Sequence, residues 1–259
     1  MHTTDALLFF LYISYYRLNL YQIKIRDIQF ITFTDIAFTF AKKMYDTLIN
    51  ELLHTGTRLV AVSKTKPASA VTDLYDKGQR IFGENYVQEL TEKHEQLPTD
   101  IQWHFTGHLQ SNKVKYIAPF VDTIQGVDSP KLAQEINKQA EKNNRTINCL
   151  LQFHISDETT KFGFTLPEAQ EMLNSNAPES FKNIKWCGVM GMATFTDNKE
   201  QVRREFQSLK LIFDTLKNSF FPTSPDFKDI SMGMSDDYKI AVEEGATIVR
   251  IGSLLFGKR

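Results

Sequence analysis

Residues 58–84 read RLVAVSKTKPASAVTDLYDKGQRIFGE. A β-branched run at 58–63 is followed by an amphipathic stretch at 68–77 that stops at Gly78, and a second apolar run follows at 80–84. Apolar runs of strand length that alternate with longer stretches of helical period spell a β-α-β unit. Outward from this segment the same pattern recurs, with strands predicted at 101–106, 121–125, 147–155, 184–192, 228–232 and 247–251, making eight in all. Helices are expected at 45–54 before Gly56, at 86–96 before Pro98, and at 129–143, where Ser129 serves as cap and Pro130 takes the first helical position. Three more are expected at 167–174, at 198–220 with Phe206, Leu209, Phe213 and Leu216 spaced by three and four, and at 235–244 before Gly245. Eight strands interleaved with helices are the arithmetic of an α/β, single-domain (β/α)8 TIM barrel, a fold of about 250 residues. Here it carries one additional N-terminal helix. An open doubly wound sheet needs fewer strands and usually a glycine-rich first turn. No G-x-G-x-x-G follows any of these strands.

The charge balance, 30 basic against 31 acidic residues, offers no electrostatic basis for nucleic acid or an anionic membrane as partner. Cys149 and Cys187 lie in apolar runs and read as buried free thiols of a reducing, cytoplasmic compartment. The six histidines are scattered and no Cys/His spacing resembles a zinc site, so no metal is expected. Residues 1–43 break the pattern. Their apolar run ALLFFLYISYY, at 6–16, is shorter than the roughly 20 residues a membrane span needs. It lacks the basic start and small-residue cleavage site of a signal peptide. Translation is expected to begin at Met44, leaving 1–43 as upstream sequence outside the barrel domain at 44–259; the alternative is an amphipathic organelle or membrane anchor.

In a barrel, the carboxyl ends of the strands converge on one face. The polar residues at those ends are Lys64, Glu84 with Asn85, His104, Ser231, Ser235 and Arg250. Alternation puts Val60, Val62 and Lys64 on one face of the first strand. A lysine continuing a buried valine row is partly desolvated, which lowers its pKa toward the neutral amine that a Schiff base requires. In the last strand Ile248, Arg250 and Gly252 share a face, and Gly252 with Ser253 presents backbone N–H groups to an anion. The segment SMGMSDD, at 231–237, sets Ser231, Gly233 and Ser235 ahead of a helix start suited to phosphate, with Asp236 and Asp237 expected to point outward. Glu84 could pair with Lys64 or another lysine across the barrel, and His104 could lie against a bound ring or cap its strand. Phe105, Met190 and Met192 read as core.

The segments AVSKTKP (61–67), FGENYVQE (82–89), WHFTGHLQSNK (103–113), GVMGMATF (188–195), SMGMSDD (231–237) and VRIGSLLFG (249–257) resemble the pyridoxal 5′-phosphate (PLP) homeostasis protein family. The resemblance spans 45–258 and implies a barrel similar to that of bacterial alanine racemase, with PLP at the carboxyl ends of its strands. Under it, Lys64 matches the Schiff-base lysine, Arg250 the arginine facing the pyridine nitrogen, and Ser235, Gly252 and Ser253 the phosphate contacts. Gly233 and Met234 are expected close by. Asn85, His104 and Ser231 complete the expected cofactor set. The departures are Thr106, where the family more often has an apolar residue, and Gly191. An arginine only donates, so it keeps the pyridine nitrogen unprotonated. That argues against chemistry leaning on a quinonoid and for a non-catalytic carrier that passes PLP to apo-PLP enzymes as a monomer or weak dimer. The alternative is an amino-acid racemase. Alanine racemase adds a second domain and a partner's tyrosine, neither of which is expected after a last strand that ends near Arg259. Between the two lysines of AVSKTKP, Lys64 is expected to carry the cofactor. Lys66 precedes Pro67, which steers it out of the mouth.

Overall fold

The computed structural model describes residues 44–158, 162–175 and 178–257, so the leader expected at 1–43 lies outside the described residues. Helix α1 (44–53) precedes eight parallel strands that close into a barrel in chain order. The strands are β1 (Arg58–Val62), β2 (Ile81–Glu84), β3 (Gln102–Phe105), β4 (Thr123–Val127), β5 (Ile147–Phe153), β6 (Ile184–Gly191), β7 (Asp229–Ser231) and β8 (Ile248–Ile251). Between them run α2 (Ala68–Tyr75), α3 (Val87–Gln96), α4 (Val114–Ile117), α5 (Pro130–Lys142), α6 (Leu166–Ser175), α7 (Lys199–Phe220) and α8 (Tyr238–Glu243), and α9 (Ser253–Phe256) follows β8. All eight predicted strands form, each trimmed by a residue or two at one or both ends or shifted, as in β4.

Alternation divides the apolar side chains into two cores. Leu59, Ala61, Phe82, Trp103, Phe105 and Ile124 face outward and join the helices in the larger cluster. Val60, Leu150, Cys187, Met190 and Ile248 form a smaller cluster lining the barrel, with Val62, Ile81 and Met192 against it. The predicted cap acts as read, Ser129 Oγ accepting from the Leu132 N–H at 3.4 Å, and Asn198, expected inside its helix, is a cap as well, its Oδ1 accepting from the Gln201 N–H at 3.2 Å. Val202, Phe206, Leu209 and Leu216 are the apolar stripe by which α7 lies on the sheet. Cys149 and Cys187 are buried free thiols, and burial pushes the Cys187 thiol up to about 12.

The sequence did not mark α4 or α9, four residues each, since one turn is too short to show a period. The helix expected at 235–244 begins only at Tyr238. The Met234 N–H bonds to the Asp237 side chain at 2.5 Å and holds the intervening residues in a turn.

The β6–β7 seam depends on Gly188, which has φ +150°; a Cβ there would sit 1.8 Å from the Asp229 carbonyl oxygen. Gly188→Ala should force the two strands apart and cost at least about 3 kcal/mol. Urea denaturation with unchanged m-value measures this.

Candidate functional site

The mouth is built from the carboxyl end of β1. The ladder continues through the Ser63 N–H, which donates to the Gly83 carbonyl at 2.9 Å, and then the chain turns. The Lys66 N–H bonds back to the Ser63 carbonyl at 3.0 Å, and Thr65 adopts φ 64°, uncommon for a residue other than glycine. Strand alternation therefore ends before Lys64 and cannot be extended to Lys66. Both lysines are half-buried, so Lys66 is less hydrated than the sequence led one to expect.

Behind this turn, on the outer side of the sheet, lies a buried ionic group. Ser63 Oγ donates to Glu84 Oε1 at 2.6 Å, and Lys93 Nζ donates to that same oxygen at 2.6 Å and to the Ser63 carbonyl at 2.8 Å. Glu89 accepts the Thr65 N–H at 2.7 Å and lies 3.5 Å from Lys93 Nζ. Residues 63 and 65, either side of Lys64, are thus clamped from α3. The partner of Glu84 is Lys93 of α3, and not a lysine across the barrel as one of the two expected readings had it. It packs from the helix layer, where Glu84 follows the outward parity of Phe82. Burial raises the Glu84 pKa against the lowering effect of Lys93 and Ser63, and its Oε2 has no partner among the described residues.

Barrel closure brings the last strands beside β1. Gly252 lies so near Val62 that a Cβ would be 3.2 Å from the Val62 carbonyl oxygen. The Leu254 N–H reaches Ser235 Oγ at 3.4 Å, joining the loops after β7 and β8. Gly252, Ser235 and the exposed Ser253 therefore cluster at the mouth next to the Lys64 turn. Gly233 faces the helix layer instead: a Cβ would sit 2.6 Å from Ala241 Cβ, and its carbonyl accepts the Arg250 N–H at 2.9 Å. The outward pointing expected of both aspartates holds for exposed Asp236 alone. Asp237 turns inward to hold Met234, and burial raises its pKa while Arg250 opposes the rise.

Inside the barrel a hydrogen-bonded chain runs from β8 to β3. Arg250 Nη1 donates to Ser231 Oγ at 2.7 Å, and Ser231 Oγ donates to Gln125 Oε1 at 2.6 Å. Gln125 Nε2 lies 2.8 Å from His104 Nδ1, and His104 Nε2 lies 3.6 Å from Asp122 Oδ2. Arg250 Nη2 adds a bond to the Gly191 carbonyl at 2.9 Å. Among the described residues these bonds use two of the five guanidinium donors. Burial lowers the Arg250 pKa to about 10, still charged at neutral pH, and lowers that of His104 to about 4. His104 is thus an interior residue and not a strand cap, and Ser231 is fully buried under Arg250. Asn85 Oδ1 accepts from Thr106 Oγ1 at 2.8 Å, so the Thr106 departure supplies a partner for Asn85. Gln125 was not singled out from the sequence. An uncharged amide closing an apolar strand run was the only signal, and it does not say which way the side chain points.

A model of the family described as alanine racemase, N-terminal domain, matches residues 45–259. The pyridoxal phosphate homeostasis protein of Aquifex aeolicus is 40% identical over 203 residues, covering 78% of this chain and 87% of the relative. That of Escherichia coli is 38% identical over 208 residues, covering 78% and 85%. The structure of PipY from Synechococcus elongatus, solved with PLP bound, matches with TM-score 0.76 at 31% identity over 84% of this chain and all of the other. Alanine racemase of Clostridium difficile shares the fold at TM-score 0.66 and 18% identity, over 85% of this chain and 60% of the racemase. The fold is thus the alanine racemase barrel. Within that class, the chain belongs to the pyridoxal phosphate homeostasis protein family.

The clamp behind Lys64 yields a pH-dependent expectation. Lys93→Met leaves a buried carboxylate unpaired and should cost about 3–5 kcal/mol at pH 8. In the variant the folded-state pKa of Glu84 stands further above its unfolded value. Stability tied to that group is present at low pH and lost as pH rises through the folded pKa. The deficit relative to the parent protein should therefore shrink as pH falls from 8 to 5, which urea titrations across that range measure.

Proposed function

We propose that this chain holds PLP as a Schiff base on Lys64, buffers the reactive aldehyde inside the cell, and releases it to apo-PLP enzymes without turning over a substrate. The observation that carries this reading is the half-buried amine of Lys64 beside the Gly252 and Ser253 loop, in the same barrel whose interior holds the Arg250 guanidinium. The groups present fit such a ligand. Ser235, Gly252 and Ser253 would hold the phosphate, and Arg250 would meet the pyridine nitrogen. Asn85 would orient the ring, while Gly233 and Met234 would shape the loop. Ser231 and His104 would act behind Arg250. The PLP in the PipY structure and the names of the relatives support PLP as the ligand.

Bound PLP supplies an aldehyde and an electron sink whose strength depends on ring protonation. A guanidinium fixed by Ser231 and the Gly191 carbonyl can donate but has no readily available proton to give, which favours storage over catalysis. A cytoplasmic location is part of this reading, supported by the two buried free thiols. No helix among the described residues is long and apolar enough to cross a membrane. We infer a monomer or weak dimer.

Lys64→Ala should abolish the borohydride-trapped phosphopyridoxyl adduct while Lys66→Ala keeps it. Mass spectrometry of the reduced protein that finds the group on Lys66 would overturn the assignment. The carrier reading is checked separately by incubating PLP-loaded protein with L- and D-amino acids in deuterated water. Exchange of the α-proton no faster than with free PLP is expected, and rapid exchange would favour a racemase.

A further inference from the structure

Gln125 links the two halves of the barrel's polar interior. It stands on β4, across the barrel from β8, and is wholly buried. An amide's oxygen and nitrogen ends are told apart by their partners, and here the partners decide. A guanidinium only donates, so Ser231 Oγ must accept from Arg250 Nη1 and has a single proton left to give. That proton goes to Gln125 at 2.6 Å, which obliges Gln125 to present its oxygen to Ser231 and its NH2 to His104. His104 Nδ1 must then be an acceptor, and any proton on the neutral ring belongs to Nε2, on the Asp122 side. The direction of every bond follows from the one group that cannot reverse.

We propose that Gln125 is the positioning residue that holds Arg250 in its orientation and, in doing so, keeps His104 as the neutral Nε2–H tautomer. Protonating Nδ1 would require the amide to turn over. Ser231 would then receive hydrogen bonds from both sides with no acceptor for its own proton, leaving a buried donor unpaired. The charged groups facing His104 are Asp122 from the start of β4, which favours the imidazolium, and Arg58 from β1, which opposes it and is itself paired with Asp229 at 2.5 Å. Among the described residues the side-chain hydrogen bonds of Gln125 go to His104 and Ser231, and none goes to Ser235, Gly252 or Ser253. Its role is therefore separable from the affinity of the phosphate site. The consequence for the cofactor rests on the reading that Arg250 faces the pyridine ring. The polarity of the chain does not.

The test uses the full chain with 15N-labelled histidine. In the parent protein, NMR should show His104 protonated at Nε2 alone and not titrating between pH 5 and 8, consistent with a pKa lowered to about 4. A ring protonated at Nδ1 would overturn the proposal without recourse to any variant. Gln125→Glu keeps an acceptor for Ser231 but offers His104 a second acceptor, so the proton should move to Nδ1 and the His104 pKa should rise by more than one unit. Gln125→Leu removes both bonds. The variant should still form the borohydride-trapped adduct on Lys64, but with a displaced visible absorption band and PLP release faster by roughly tenfold, the scale of one lost buried hydrogen bond. Gln125→Glu should restore the release rate. If Gln125→Leu matches the parent in band and release while Arg250→Leu alters both, Gln125 does not position Arg250 and the proposal fails. If Arg250→Leu also leaves both unchanged, it is the placement of Arg250 at the ring that fails, while the NMR result still decides the chain's polarity.

Discussion

Everything at the mouth depends on the pairing of β8 with β1. Four register pairs, from Arg58 opposite Ile248 to Ala61 opposite Ile251, join the two ends of the barrel sequence. This seam sets Val60 beside Arg250 and brings Gly252 against the Val62 carbonyl, so that the first and last loops of the barrel become neighbours. An open sheet built from the same strands would leave Lys64 and Arg250 on opposite edges. Closure joins them and leaves no unpaired strand edge.

The inside of the barrel is unusual in what it buries. Its apolar lining is small, centred on Val60, Leu150, Cys187, Met190 and Ile248, and much of the rest is polar. A charged guanidinium at 5% exposure is costly unless its donors are engaged and its neighbours are oriented. Ser231, Gln125 and the Gly191 carbonyl meet that demand, and the chain they form leaves each member one compatible bonding direction. Such a network resists rearrangement because turning any amide or hydroxyl leaves a buried group unpaired.

The outer side of β1 and β2 shows a second use of buried charge. Glu84 and Lys93 pair between the sheet and α3, and together with Glu89 they hold the residues flanking Lys64. Thr65 at positive φ carries a strain of about 1 kcal/mol or more, which persists where surrounding bonds over-determine the conformation. A lysine presented on a turn fixed from behind loses little further freedom when it engages a ligand, which favours affinity.

By itself the sequence determined the barrel. Eight apolar runs at regular spacing, capped helices between them, and the near-complete match of predicted to observed strands follow from local periodicity, which is written residue by residue. It also determined the face on which Val60, Val62 and Arg250 lie, since alternation is a property of the single strand. Tertiary structure alone decided the partners. Gln125, Ser231 and Arg250 stand on β4, β7 and β8, and no local pattern says that side chains 106 and 19 residues apart in sequence will bond. It also decided that Glu84 turns to Lys93, that Asp237 turns inward, and that the β1 turn ends the alternation before Lys64. Each of these outcomes rests on a hydrogen bond whose two ends come together only when the sheet closes or the chain turns back on itself.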